Sequence, residues 1–212
     1  KRQTHVKPSL TSSPDKATLF FFNRFCSAAY LLITLVKALL NFDQVEVDFI
    51  QDVRDRYGNS LELSSGKGRV VKPSIEWRTY DPYEQTIMLV ENELKIYDPD
   101  LEQLIIKDIT DEVGNVPLHM LRSRNIEFGD FIVVKEEADA SGAKYFSLSP
   151  QSEQVLFSRI EIKTLKEQLQ TIRVIGISGE VTEINISNFN NLDREDSLFE
   201  ISVPEGTDIV EG

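Results

Sequence analysis

Beyond Phe42, apolar and polar residues alternate along most of the chain. Val45, Val47 and Phe49 alternate with Glu46 and Asp48, Leu61 and Leu63 with Ser60, Glu62 and Ser64, and Ile75 and Trp77 with Glu76 and Arg78. The period returns at Ile160 and Ile162, at Ile184 and Ile186, and at Phe199, Ile201 and Val203. Successive side chains of a strand point to opposite faces, so each run predicts a strand with one apolar and one wet face. Turn residues punctuate the runs at Tyr57-Gly58-Asn59, Gly66-Lys67-Gly68, Asp81-Pro82, Glu91-Asn92, Ser141-Gly142 and Ser178-Gly179. Roughly ten short strands at this spacing make an antiparallel meander.

Two segments depart from the period of two. Leu32, Leu35, Val36, Leu39 and Leu40 mark one face of a helix over residues 28–42. Over 116–124, Pro117 suits a first helical position, and Leu118, Met120 and Leu121 follow at helical spacing. A large sheet with one apolar face needs a cover, and these are the helices available to supply it. Periodicity alone does not distinguish a filled core beneath them from an enclosed cavity.

Composition changes the picture at the N-terminus. The formal net charge is −12, yet residues 1–27 carry Lys1, Arg2, Lys7, Lys16 and Arg24 against Asp15, a net of +4 that leaves −16 for the rest. The basic start followed by Leu19–Phe22 and Phe25–Val36 has the order of a secretory leader, with Arg24 interrupting the apolar run. Residues 1–27 are therefore expected to be a targeting-like or poorly ordered segment, and 28–212 one domain. The acidic remainder argues against nucleic acid or an anionic membrane as partner. One cysteine, Cys26, permits no intrachain disulfide.

Catalytic patterns are scarce. Gly176-Ile177-Ser178-Gly179 lacks the spacing of a nucleophile elbow, and His5 and His119 are the only histidines. Together with Cys26 they give no metal-ligand spacing, so neither an enzyme nor a cofactor is expected.

Four short motifs carry a resemblance. They are Lys72-Pro73-Ser74-Ile75-Glu76-Trp77, then Tyr97-Asp98-Pro99-Asp100-Leu101-Glu102-Gln103-Leu104, then Gly114-Asn115-Val116-Pro117-Leu118, and finally Phe199-Glu200-Ile201 running into Val203-Pro204-Glu205-Gly206-Thr207-Asp208-Ile209-Val210. In this order they resemble the periplasmic lipoprotein carrier family LolA over roughly residues 28–212. The resemblance implies a mainly β fold, an unclosed antiparallel half-barrel covered by an α-helical lid that encloses an apolar cavity. It also implies a monomeric periplasmic chaperone that takes acylated lipoproteins from the inner-membrane complex LolCDE and passes them to the outer-membrane receptor LolB. A LolB-like acceptor and a lipid or lipoprotein sensor of the same fold are the alternatives.

On that reading the acyl-chain cavity is lined by Ile75, Trp77, Met88, Leu94, Ile96, Phe131, Phe146 and Leu148 from strands, and by Leu118, Met120 and Leu121 from the lid. Each is equally at home in an ordinary core. Lys72 stands where the family has an arginine that holds the lid shut. Its ammonium is a point charge rather than a planar fork of donors, which weakens closure, and a solvated strand-end lysine is the other reading. Asp98 and Pro99 are turn formers, and Asn115 is a helix cap.

Overall fold

The computed structural model describes residues 41–109, 131–151, 156–192 and 199–211. They form one twelve-stranded sheet: β1 (Val45–Arg54), β2 (Ser60–Val71), β3 (Ser74–Asp81), β4 (Gln85–Val90), β5 (Glu93–Asp98), β6 (Gln103–Asp108), β7 (Phe131–Ala138), β8 (Ala143–Pro150), β9 (Phe157–Leu165), β10 (Gln168–Gly176), β11 (Val181–Asn191) and β12 (Asp208–Glu211). The order across the sheet is β12-β6-β5-β4-β3-β2-β1-β11-β10-β9-β8-β7. Two antiparallel meanders, β1–β6 and β7–β11, are thus joined where β1 pairs with β11, and the sheet does not close. β12 departs from the antiparallel rule by pairing with β6 in parallel.

Register sorts the side chains into two faces. One row runs Leu94, Leu89, Ile75, Val70, Val45 through directly opposed residues. In the other meander, Ile184, Ile172, Ile162 and Phe146 are opposed in the same way. A single buried cluster spans the junction, from Ile75, Val70, Val45 and Val47 to Ile186, Ile172, Ile162, Ile160, Phe146 and Leu148. At about 1.5–3 kcal/mol for each large side chain, this face is the main source of stability. The opposite face carries ion pairs such as Lys67–Glu46 at 2.6 Å and Arg173–Glu161 at 2.8 Å.

Several expectations are corrected. No helix occurs among the described residues, so the α-helical lid in the expected fold is not supported. The segment 116–124 and most of 28–42 lie outside the described residues, and Asn41 and Phe42 are not helical. Gly66-Lys67-Gly68 is not a turn but the interior of β2. Leu61 and Leu63 do not face the core: they are 66% and 59% exposed. Alternation is blind to which face is buried, and Leu63 pairs with Asp52 on the ion-paired side. Phe199, Ile201 and Val203 belong to no strand. They are half-buried while Glu200, Ser202 and Pro204 are exposed, the pattern of an extended strap lying on the sheet.

Candidate functional site

The apolar face is the surface on which an acyl-binding site would be built. Its best-defined detail lies where β1, β2 and β3 run together. Phe49 and Trp77 stack across β2, with ring centroids 4.2 Å apart and planes at 22°. The strand between them carries Gly68, which pairs with Trp77. A Cβ at Gly68 would fall 2.4 Å from the indole ring. The glycine therefore lets the ring lie flat over β2, and no other residue type fits there without moving it. A Cβ at neighbouring Gly66 would meet the Arg78 carbonyl oxygen at 2.0 Å, beside an irregularity in β2–β3 pairing. The glycines that read as a turn are thus demanded by close packing within a strand.

Lys72 ends the β2 row at the β2–β3 turn, before a cis bond to Pro73. It is 2% exposed, which excludes the solvated strand-end reading. Its backbone N–H donates to Asp43 Oδ1 at 2.8 Å, and the same oxygen accepts from the Gln44 N–H at 2.9 Å. Asp43 thereby fastens the entry to β1 onto the β2–β3 turn.

On the opposite face Glu76 is 3% exposed and accepts from two guanidinium groups, Arg69 at 2.8 Å and Arg78 at 2.6 Å. Two cations satisfy the buried carboxylate from either side. Arg69 also stands 5.3 Å from the Phe199 ring centroid, which brings the strap onto this face. A groove of about 460 Å³ on the same side, over β8–β11, is lined by Tyr145, Ser147, Glu161, Lys163, Arg173 and Glu183. Its lining is mixed, with Phe146 and Ile162 beside the charged side chains.

The family model described as "Outer membrane lipoprotein carrier protein LolA" matches residues 41–202. The chain belongs to the LolA family. Among its relatives, the outer-membrane lipoprotein carrier protein of Hahella chejuensis is 25% identical over 175 residues, covering 81% of this chain and 84% of the relative. That of Francisella tularensis subsp. novicida is 28% identical over 196 residues, covering 91% and 94%. An uncharacterized conserved protein from Thermus thermophilus has a crystal structure that matches with a TM-score of 0.51 at 15% identity, covering 88% of this chain and 99% of that one. The likeness to the last is one of fold.

Within this LolA-family sheet, the expected cavity residues fall into three groups. Ile75, Trp77, Leu94, Ile96, Phe131, Phe146 and Leu148 share the apolar face by register. Ile75, Phe146 and Leu148 are 1%, 2% and 0% exposed, whereas Leu94, Ile96 and Phe131 are half-buried. Met88 does not join them: it pairs with Glu76 and Lys95 and so points to the other face, where it is 1% exposed. The run Ile87-Met88-Leu89-Val90 has no polar member to reveal its phase, and this is why the sequence did not separate Met88 from its neighbours. Leu118, Met120 and Leu121 lie outside the described residues, as does the lid segment Lys72 was expected to hold. Phe49, Leu89, Ile172 and Val174 share this face by register and are not among the expected residues, although Phe49 stands in the alternation of β1 and is the partner of Trp77.

Proposed function

We propose that this chain is a periplasmic carrier that holds the acyl chains of lipoproteins against the apolar face of its sheet during transit to the outer membrane. The observation that carries the reading is the apolar face, with its buried cluster, of an unclosed sheet in a chain of the LolA family. The names of the relatives, outer-membrane lipoprotein carrier proteins, support it. An acyl chain of about 15 methylenes prefers lipid to water by ~12 kcal/mol, at ~0.8 kcal/mol per methylene. Three such chains amount to roughly 36 kcal/mol, and each 1.4 kcal/mol is a factor of about ten. Unaided escape into water is negligible, so an apolar surface has to travel with the chains. Half-buried Phe131 packs against the buried cluster, half-buried Leu94 and Ile96 lie on the same face, and these are the side chains an alkyl group would reach first.

On this reading no bond is made or broken, and direction comes from the donor LolCDE and the acceptor LolB rather than from chemistry in the carrier. Incubating the protein with spheroplasts that contain intact LolCDE should release an outer-membrane lipoprotein into the supernatant. Release no greater than in buffer would defeat the carrier reading.

A further inference from the structure

The groove over β8–β11 lies on the polar face of the sheet, and register sets its geometry. One row of directly opposed residues runs Ser147, Glu161, Arg173, Glu183, and the row beside it Tyr145, Lys163, Thr171, Asn185. Alternate residues of a strand share a face, so both rows stand on the same side. Polar contacts fix the side chains further. Arg173 donates to Glu161 at 2.8 Å, and its Nε lies 3.1 Å from Glu183. Asn185 Nδ2 donates to Glu183 at 3.1 Å, while its Oδ1 accepts from the Thr171 hydroxyl at 3.0 Å. At the other end the Tyr145 hydroxyl donates to Asp139 at 3.0 Å, which holds a ring that is 38% exposed.

Two groups are left over. Ser147 is 7% exposed, and its Oγ is enclosed with no hydrogen-bond partner. A buried hydroxyl without a partner carries a cost that alanine in its place would not. Lys163 stands 5.6 Å from the Tyr145 ring centroid and forms no ion pair among the described residues. The charges of the two rows cancel: Lys163 and Arg173 are set against Glu161 and Glu183, with Glu137 the one further charge in the lining. Such a groove has no strong field of one sign to draw a simple anion or cation. It offers donors and acceptors side by side, next to the Tyr145 ring, Phe146 and Ile162. An uncharged ligand that both donates and accepts, and has an apolar side, matches that lining.

We propose that this groove binds a neutral acetamido sugar. Ring hydroxyls bridge the carboxylates of Glu161 and Glu183 to the Lys163 ammonium, donating to the first and accepting from the second. The C–H side of the pyranose lies against the Tyr145 ring, and the acetamido methyl meets the remaining apolar lining. The Ser147 side chain has three staggered wells, so one rotation about χ1 turns its hydroxyl to a ligand oxygen and supplies the missing partner. The groove and the acyl-binding face are on opposite sides of the sheet, so this site stands or falls independently of the carrier reading.

The isotope-labelled full chain is titrated with N,N′-diacetylchitobiose and followed by its amide chemical shifts. Saturable shifts should be confined to β8–β11, with a dissociation constant of about 1 mM or tighter. Ser147→Ala should bind about threefold to tenfold more weakly, yet melt no lower than wild type without sugar, because the hydroxyl it loses had no partner. A serine with a purely structural role would do the reverse. Lys163→Met keeps the apolar stem and should bind about tenfold more weakly. The control Leu63→Ser, whose side chain is exposed on β2, should bind as wild type does, and circular dichroism confirms that each variant is folded. Co-sedimentation with peptidoglycan sacculi, whose strands carry the same sugar, would assign the site to a glycan strand; disaccharide binding without it would assign the site to a free saccharide. No saturable shift by about 10 mM, shifts centred outside β8–β11, or either groove variant within about twofold of wild type overturns the proposal. So does inorganic phosphate or putrescine moving the same amides at a lower concentration than the sugar, because the groove would then be an ionic site.

Discussion

Gly68→Ala puts a methyl group where the Trp77 indole lies, 2.4 Å from its nearest ring atom. Either β2 or the indole must shift, and a shift of the indole disturbs its stack on Phe49. The substitution should cost about 1–3 kcal/mol, the usual penalty for overpacking. Urea titration followed by circular dichroism measures it, and Trp77 emission should shift to the red as the ring is displaced. A midpoint and spectrum equal to wild type would mean that the ring turns aside freely. The indole direction was legible in the sequence, because Ile75 and Trp77 alternate with Glu76 and Arg78, and the structure places Trp77 on the apolar face at 8% exposure. What the ring rests on was not legible, since the glycine that admits it is opposite on β2 and reads locally as a turn.

Two hairpin turns share one design at the scale of the element. In β1–β2, Asp55 Oδ1 accepts from the Tyr57 N–H at 2.8 Å and the Asn59 N–H at 2.9 Å, while Oδ2 accepts from the Asn59 side chain at 2.8 Å. In β7–β8, Asp139 Oδ1 accepts from the Ser141 and Ala143 N–H groups at 2.9 and 3.1 Å, and Oδ2 from the Tyr145 hydroxyl at 3.0 Å. Gly58 and Gly142, each at positive φ, complete the two loops. The sequence announced both turns through their glycines, but not the aspartate three residues earlier as their organiser. Hydrogen bonds from the Asn59 side chain and, in the second turn, from the Ser141 hydroxyl and then Tyr145 hold these carboxyls below the ordinary carboxylate range. A carboxyl with a depressed folded-state value contributes stability that is fully present above its unfolded value, about 3.9, and is lost as pH falls through the lower folded value. Asp139→Ala should therefore lower the thermal midpoint at neutral pH, and the gap from wild type should narrow as the solution is acidified below about 3.9. A gap independent of pH would show that the aspartate acts through packing and not through its charge.

For the whole molecule, the alternation of Val45–Phe49, Ile75–Trp77, Ile160–Ile162 and Ile184–Ile186 was enough to predict a large antiparallel sheet with one apolar face. It could not show that β1 would pair with β11, because a contact between strands far apart in sequence leaves no local mark. Nor could it show that β12 would add in parallel to β6, where Asp208–Glu211 runs beside Gln103–Ile106. The sheet is unclosed and no helix covers it among the described residues, so the question left for function is what the apolar face can admit. Trp77 answers it as the sole tryptophan of the chain, stacked within that face. If the face is a filled core, no acyl chain approaches the indole; if it admits ligand, an alkyl chain comes within quenching range of the ring. A fatty acid brominated along its chain should then quench Trp77 emission saturably, and an unbrominated competitor should restore it. Replacing half-buried Leu94 and Ile96 by serine should weaken that quenching by about tenfold or more, since two apolar contacts are lost and two hydroxyls are presented to the alkyl chain. Saturating ligand that binds by an independent assay without changing Trp77 emission would locate acyl binding away from β1–β3, and quenching unchanged in the serine variant would move it off β5.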